Sequence, residues 1–218
     1  MNLGDPLIII TVLTIVGLVP FLALLVTSFT KIVVVLGLLR QALGLQQVPP
    51  NMVINSLAII VSLYVMAPIG THVAETIKAN LKGPVASQRI EDFGAIYQSA
   101  ITPLRGFLNR HTTERDRQFF VRSANKLWPA ADARALTQDN MLVLIPSFTL
   151  RELTEAFQIG FVLYLAFVVI DLIVGNILLA LGMVMLSPTV VSVPFKLLLF
   201  IALDGWQRLI QGLVLGYA

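Results

Sequence analysis

Ile145-Pro146-Ser147-Phe148-Thr149-Leu150-Arg151-Glu152 opens the stretch that decides the fold, and Gly182-Met183-Val184-Met185-Leu186-Ser187-Pro188 closes it. Between them, from Ala156 to Leu181, Asp171 is the single charge. Thr149 and Glu152 have the spacing of a capping box, in which the hydroxyl accepts from the N3 amide and the carboxylate reaches back to the cap residue's own amide. Phe148 and Leu153 can close a hydrophobic staple over it, so the spacing predicts a helix beginning near Leu150. No polar face recurs every 3.6 residues between Phe157 and Ala180, which excludes a surface helix. The segment belongs in lipid or among other apolar helices.

Composition extends this to the whole chain. Hydrophobic residues make up 57% and charged residues 12%, with a mean hydropathy of +0.86, whereas soluble domains carry about a quarter charged residues. The chain is an all-α integral membrane protein by this measure. Its 15 Lys/Arg and 12 Asp/Glu are unevenly placed, with ten and seven of them between residues 71 and 140. That third faces water. Cysteine is absent, which removes disulfides, thiolate metal sites and Cys nucleophiles. A pI near 9.4 rests on a net charge of +3 with no continuous basic face, so nucleic acid is not an expected partner.

Three regions follow: residues 1–70, hydrophobic helices; 71–140, a polar helical domain; 141–218, a hydrophobic helical hairpin closed by the methionine loop. Leu7 to Val26 is long enough to cross a hydrocarbon core of about 30 Å, is kinked at Pro20, and reads as a retained span. Ile32 to Leu39 is too short to span alone. After the Val48-Pro49-Pro50 break, Met52 to Ile69 is a second span ending at Pro68 and Gly70. In the polar domain, Phe93, Ile96, Tyr97, Ala100, Ile101, Leu104, Phe107 and Leu108 form one amphipathic stripe kinked at Pro103. A second helix starts at the Thr113 and Asp116 pair, turns Phe119, Phe120, Ala124 and Leu127 inward and Arg115, Arg117 and Arg122 outward, and ends at Pro129. A third span, Ala156–Leu181, and a fourth, from Val190 through Leu203 toward Tyr217, make the span number even. Lys31 and Arg40 place the loop from Thr27 to Asn51 in the cytoplasm by the positive-inside rule, with the termini and the polar domain outside.

Charges inside apolar segments cost at least about 2.5–3.5 kcal/mol at mid-depth and need partners. Asp204 and Arg208, four residues apart, are expected to neutralise each other, and Arg151 and Glu155 have the same spacing. Lys196 has no acid within a helical turn, so its partner comes from another span or another subunit, with Glu155 the candidate; snorkelling to the interface is the other reading. Asp171 is expected to be protonated or hydrogen-bonded to Asn176 of a neighbouring helix. Catalytic signals are missing: there is no phosphate-binding glycine loop, and His72 and His111 lack metal-ligand spacing and suit solvated or capping roles. No cofactor is implied, and no enzyme activity. Met183 and Met185 suit an adaptable seal, or simple filling of a loop or core. Gly212-x-x-x-Gly216 agrees with close helix association. One functional class that these charges leave open is an ion or solute transporter using Glu155, Asp171 and Lys196.

Several motifs together resemble the SctR family of type III secretion systems, the counterpart of flagellar FliP. They are Thr27-Ser28-Phe29-Thr30-Lys31, Leu38-Leu39-Arg40-Gln41-Ala42-Leu43-Gly44, Gln46-Gln47-Val48-Pro49-Pro50-Asn51, Phe157-Gln158-Ile159-Gly160-Phe161, Ile170-Asp171-Leu172, Pro194-Phe195-Lys196-Leu197 and Asp204-Gly205-Trp206-Gln207. The resemblance implies an export-gate subunit in the bacterial inner membrane with its bulk toward the periplasm. It implies a homopentamer that joins SctS and SctT subunits and a SctU-type switch protein in a helical ring passing unfolded proteins. It also implies a pore gasket at Met183, Val184 and Met185, where the family often has three methionines. Intersubunit charge contacts at Glu155, Lys196 and Asp171 belong to the same implication. Ala166 stands where the family often has proline, so the third span should be straighter.

Overall fold

A computed structural model describes residues 10, 13, 14, 17, 24–80 and 90–218, which form helices and turns with no strand among them. From residue 29 onward the order is α1 (Phe29–Ala42), α2 (Asn51–Asn80), α3 (Ile90–Arg110), α4 (Glu114–Leu127), α5 (Ala130–Arg134), α6 (Met141–Ala180), α7 (Pro188–Ala202) and α8 (Gly205–Leu215). The expected first span, Leu7–Val26 with Pro20, lies largely outside the described residues, as do the side chains of Phe93 to Tyr97 and Ala100.

The short helix α1 is the centre of the bundle. Lys31, Ile32, Val35, Leu36, Leu39 and Ala42 recur at helical spacing and are all buried. A helix with so wide an apolar face needs protein around it. The long helix α6 covers one side and α2 another, and Leu213 of α8 joins the same cluster as Ile32, Val35, Ile54, Ala58 and Ala156. Gly160 lets α6 approach: a Cβ there would stand 2.2 Å from Leu38 Cδ1. The helix then stops cleanly. Gly44 takes φ +79°, its N–H bonds to Gln41 O, and Leu45 N–H bonds to Arg40 O, the paired closures of a Schellman motif.

α6 is one unbroken helix of 40 residues, about 60 Å long, or roughly twice a hydrocarbon core. It starts nine residues before the expected Leu150, because the Asn140 side chain accepts from Leu142 N and caps it there. The capping box is not formed. Thr149 Oγ1 donates to Ile145 O at 2.9 Å, and Glu152 is drawn to the ammonium of Lys31. Inside a helix the local amides already have partners, so a buried cation is the better use of that carboxylate. The first half of α6 turns one face into the bundle, with Val143, Leu144, Phe148 and Ala156 fully buried. Beyond Gly160 only Phe167 and Leu178 are buried, and Phe161, Leu165, Leu172 and Ile177 stand open. Through Ala166 the helix runs on without a break.

α2 also overruns its expected end, continuing past Pro68 to Asn80. A proline removes one ladder bond, which neighbouring helices and side chains can compensate in a membrane helix. α3 likewise runs through Pro103. The Thr113 cap forms as expected, its hydroxyl accepting from Asp116 N at 3.2 Å. Of the expected inward face of α4, Ala124 is buried as expected, whereas Phe119 and Leu127 are exposed. Arg117 turns inward instead, donating to Asn109 O and Oδ1 at 3.2 and 2.7 Å and so closing the C-terminal turn of α3.

α2 (Asn51–Thr76) and α6 are each long and apolar enough to cross a membrane. The expected fourth span is broken into α7 and α8, which meet at 62°. Asp204 occupies the break in a left-handed conformation, φ 52° and ψ 41°. It makes no ion pair with Arg208, and both are exposed. The expected pairing fails because Asp204 lies at the break and not within the helix of Arg208.

Candidate functional site

The described residues gather their buried charges into two clusters. In the first, Lys31 Nζ lies 3.1 Å from Glu152 Oε1 and 3.0 Å from Glu155 Oε2. Arg151 Nε donates to Glu155 Oε1 at 2.5 Å, the pair that the four-residue spacing allows. Tyr217 Oη donates to Glu152 Oε2, and the Lys31 ammonium sits 3.9 Å from the centre of the Tyr217 ring. Two cations therefore face two anions, and a phenol fills the remaining acceptor. Lys31 and Glu152 keep only 4% and 1% of their side-chain surface, so breaking this neutrality leaves an uncompensated buried charge. α1, α6 and the segment after α8 are tied together at one point.

His111, at the turn between α3 and α4, borders this cluster. Its ring is 4.5 Å from Phe107 and 5.2 Å from Tyr217, the latter edge-on. It is half-buried, and burial with the nearby Lys31 holds its imidazole below the ordinary value of 6.5.

In the second cluster, Lys196 Nζ is 2.7 Å from Asp171 Oδ2 and donates to Ala42 O at 3.1 Å. Ser192 Oγ donates to Asp171 Oδ1. Ala42 O is one of the free carbonyls at the C-terminus of α1, where a cation meets the negative end of the helix dipole. The candidate pair Glu155–Lys196 does not form within the chain. Each has a nearer partner, and Asp171 is held by Lys196 and Ser192 rather than by Asn176.

The third feature is the turn between α6 and α7. Gly182 takes φ +73°. Its N–H bonds to Leu179 O and Met183 N–H bonds to Leu178 O, a second Schellman closure. Pro188 then starts α7 at its first position. Between these fixed ends Met183, Val184 and Met185 are 44%, 73% and 99% exposed. They fill no core in this chain.

Sequence reasoning missed the partners of Lys31 and passed over Tyr217 and Ser192. Ser192 and Lys196 lie four apart on α7, and Asp171 and Lys196 stand equally far in sequence from the turn at Met183 and Val184. In an antiparallel hairpin such residues face each other, so this signal was present.

Buried neutral clusters, broad open apolar helix faces and an apolar turn define an all-helical integral membrane protein. The chain belongs to the FliP family, whose pattern matches residues 12–213. It is 53% identical over 204 residues to the hypersensitivity response secretion protein HrcR of Ralstonia nicotianae, covering 93% of each chain. It is 48% identical over 216 residues to the Yop proteins translocation protein R of Yersinia pestis, covering 99% of this chain and 98% of the relative. To the virulence protein YscR of Salmonella typhimurium it is 39% identical over 220 residues, covering 100% of both. The first two names describe a secretion protein and a translocation protein, and none of the three is the name of an enzyme.

Proposed function

We propose that this chain is a core subunit of a type III secretion export gate, in which several copies surround a pore that passes unfolded proteins across the bacterial inner membrane. The copies form a homopentamer with SctS and SctT subunits and a SctU-type switch protein. Met183, Val184 and Met185 close the pore as a gasket. Residues 1–70 and 141–218 supply the membrane-associated helices, and 71–140 a polar domain on the periplasmic side. The observation that carries this reading is the turn itself: Met185 is 99% exposed at the end of a helical hairpin whose backbone is fixed on both sides. An apolar turn presented in this way suits closure against its own copies.

The charges support assembly in a narrower way than the sequence suggests. Lys196 is 3% exposed and acts inside the chain, holding α7 to α6 and α1. Glu155 and Asp171 retain 29% and 24% of their side-chain surface, so each can add a contact to a neighbouring copy. What calls for neighbours is the open apolar surface of α6. The competing transporter reading needs Glu155, Asp171 and Lys196 at one point. Glu155 and Asp171 lie in separate clusters, 16 residues apart on one helix, about 24 Å by helical rise.

The test is a double replacement of Met183 and Met185 by Ala, with small-molecule leakage and secretion both measured. The gasket reading expects more leakage; unchanged leakage and secretion refute it. Mass measurement of the complex in mild detergent, with and without the partner subunits, tests the pentamer.

A further inference from the structure

The first cluster also meets the polar helices. A cavity of roughly 150 Å³ lies between the α3–α4 turn and α6, lined by Arg110, His111, Thr112, Arg151, Glu152 and Glu155 among others. It is polar and large enough for water, which gives protons access to a seam that is otherwise packed. On the other side of His111 the packing is aromatic. Phe107 and Tyr217 stack with centroids 6.1 Å apart, and His111 closes on both.

We propose that His111 and Tyr217 form a proton-operated latch, closed when the imidazole is neutral and opened by its protonation, that fixes the α3–α4 turn against the membrane bundle. The charges around His111 favour this direction. Lys31 approaches from α1, and Arg151, Glu152 and Glu155 from α6. Arg110 stands beside His111 on α3, and Arg117 comes from α4 but is committed to Asn109 and Thr112. Among the described residues, α2 brings Val65, Met66 and Ile69 to the aromatic cluster. Glu152 and Glu155 already neutralise Lys31 and Arg151, so an imidazolium would be a surplus cation. Its ordinary value is depressed by burial and by Lys31. A charged ring would leave the aromatic wall for the cavity and water, and Tyr217 would lose its neighbour. The latch is a property of the fold and stands independently of the export reading.

The chain has no cysteine, so Arg115→Cys and Thr154→Cys can carry spin labels on exposed sites of α4 and α6. The distance distribution between them is measured on the full chain in mild detergent from about pH 8 to about pH 5, the range in which histidine changes charge. The expected result is a single narrow distance near pH 8 and a broader, longer one near pH 5. His111→Asn should stay narrow throughout. Glu155→Gln, which removes an attraction for the imidazolium, should move the midpoint to lower pH. A distribution that does not change with pH in the parent chain overturns the latch without recourse to any variant at His111. An equal change in His111→Asn, or an unmoved midpoint in Glu155→Gln, overturns it as well.

Discussion

Removing the Lys31 charge should be far more damaging than removing its partner's. In Lys31→Met the side chain keeps most of its volume, but Glu152, 1% exposed, loses its only cation, because Arg151 serves Glu155. Leaving one member of a buried pair uncompensated costs about 3–5 kcal/mol. Glu152→Gln is milder, since Lys31 keeps Glu155 at 3.0 Å and loses one charged hydrogen bond, worth about 1.5–3 kcal/mol. The double variant Lys31→Met, Glu152→Gln should recover most of the loss, because neutral replacements of a buried pair are often close to neutral in energy. The assay is unfolding in mixed detergent micelles followed by helical circular dichroism. Equal effects of the two single variants, or single effects that add to within about 0.5 kcal/mol in the double, would refute the reasoning.

Three further outcomes follow from named contacts. Gly160→Ala sets a Cβ 2.2 Å from Leu38 Cδ1 and should lower stability by about 1–3 kcal/mol in the same assay, with partial rescue by Leu38→Ala. Gly182→Ala forces a side chain onto φ +73° and should cost about 1–2 kcal/mol, while raising protease sensitivity between Leu181 and Ser187. Because burial lowers the imidazole of His111, the unfolded chain binds the extra proton first: stability is full above about pH 6.5 and is lost as pH falls through the lower folded value. Midpoints of thermal unfolding against pH should carry that slope in the parent chain and lack it in His111→Asn.

The helical, membrane-bound character was legible because it depends on composition and period alone. So was the start of α4, where Thr113 and Asp116 meet within one turn. What was hidden depended on which surfaces face protein and which face lipid. α1 is as apolar as a span, and nothing in its residues says that α2 and α6 enclose it. Thr149 and Glu152 satisfied a local rule, yet Lys31 lies 121 residues away and commands Glu152. Glu155 was a candidate for Lys196 on sequence alone, which does not show the side of the helix that each occupies. The break at Asp204 was missed because glycine after an aspartate inside an apolar run gives no strong stop.

The Lys31 cluster has a consequence for how the chain is made. A ribosome delivers the ammonium of α1 to the membrane long before Glu152 and Tyr217 have been translated, so during that interval the cation has no counter-group. The Lys31 ammonium therefore reaches its final, desolvated position only after α6 has been made.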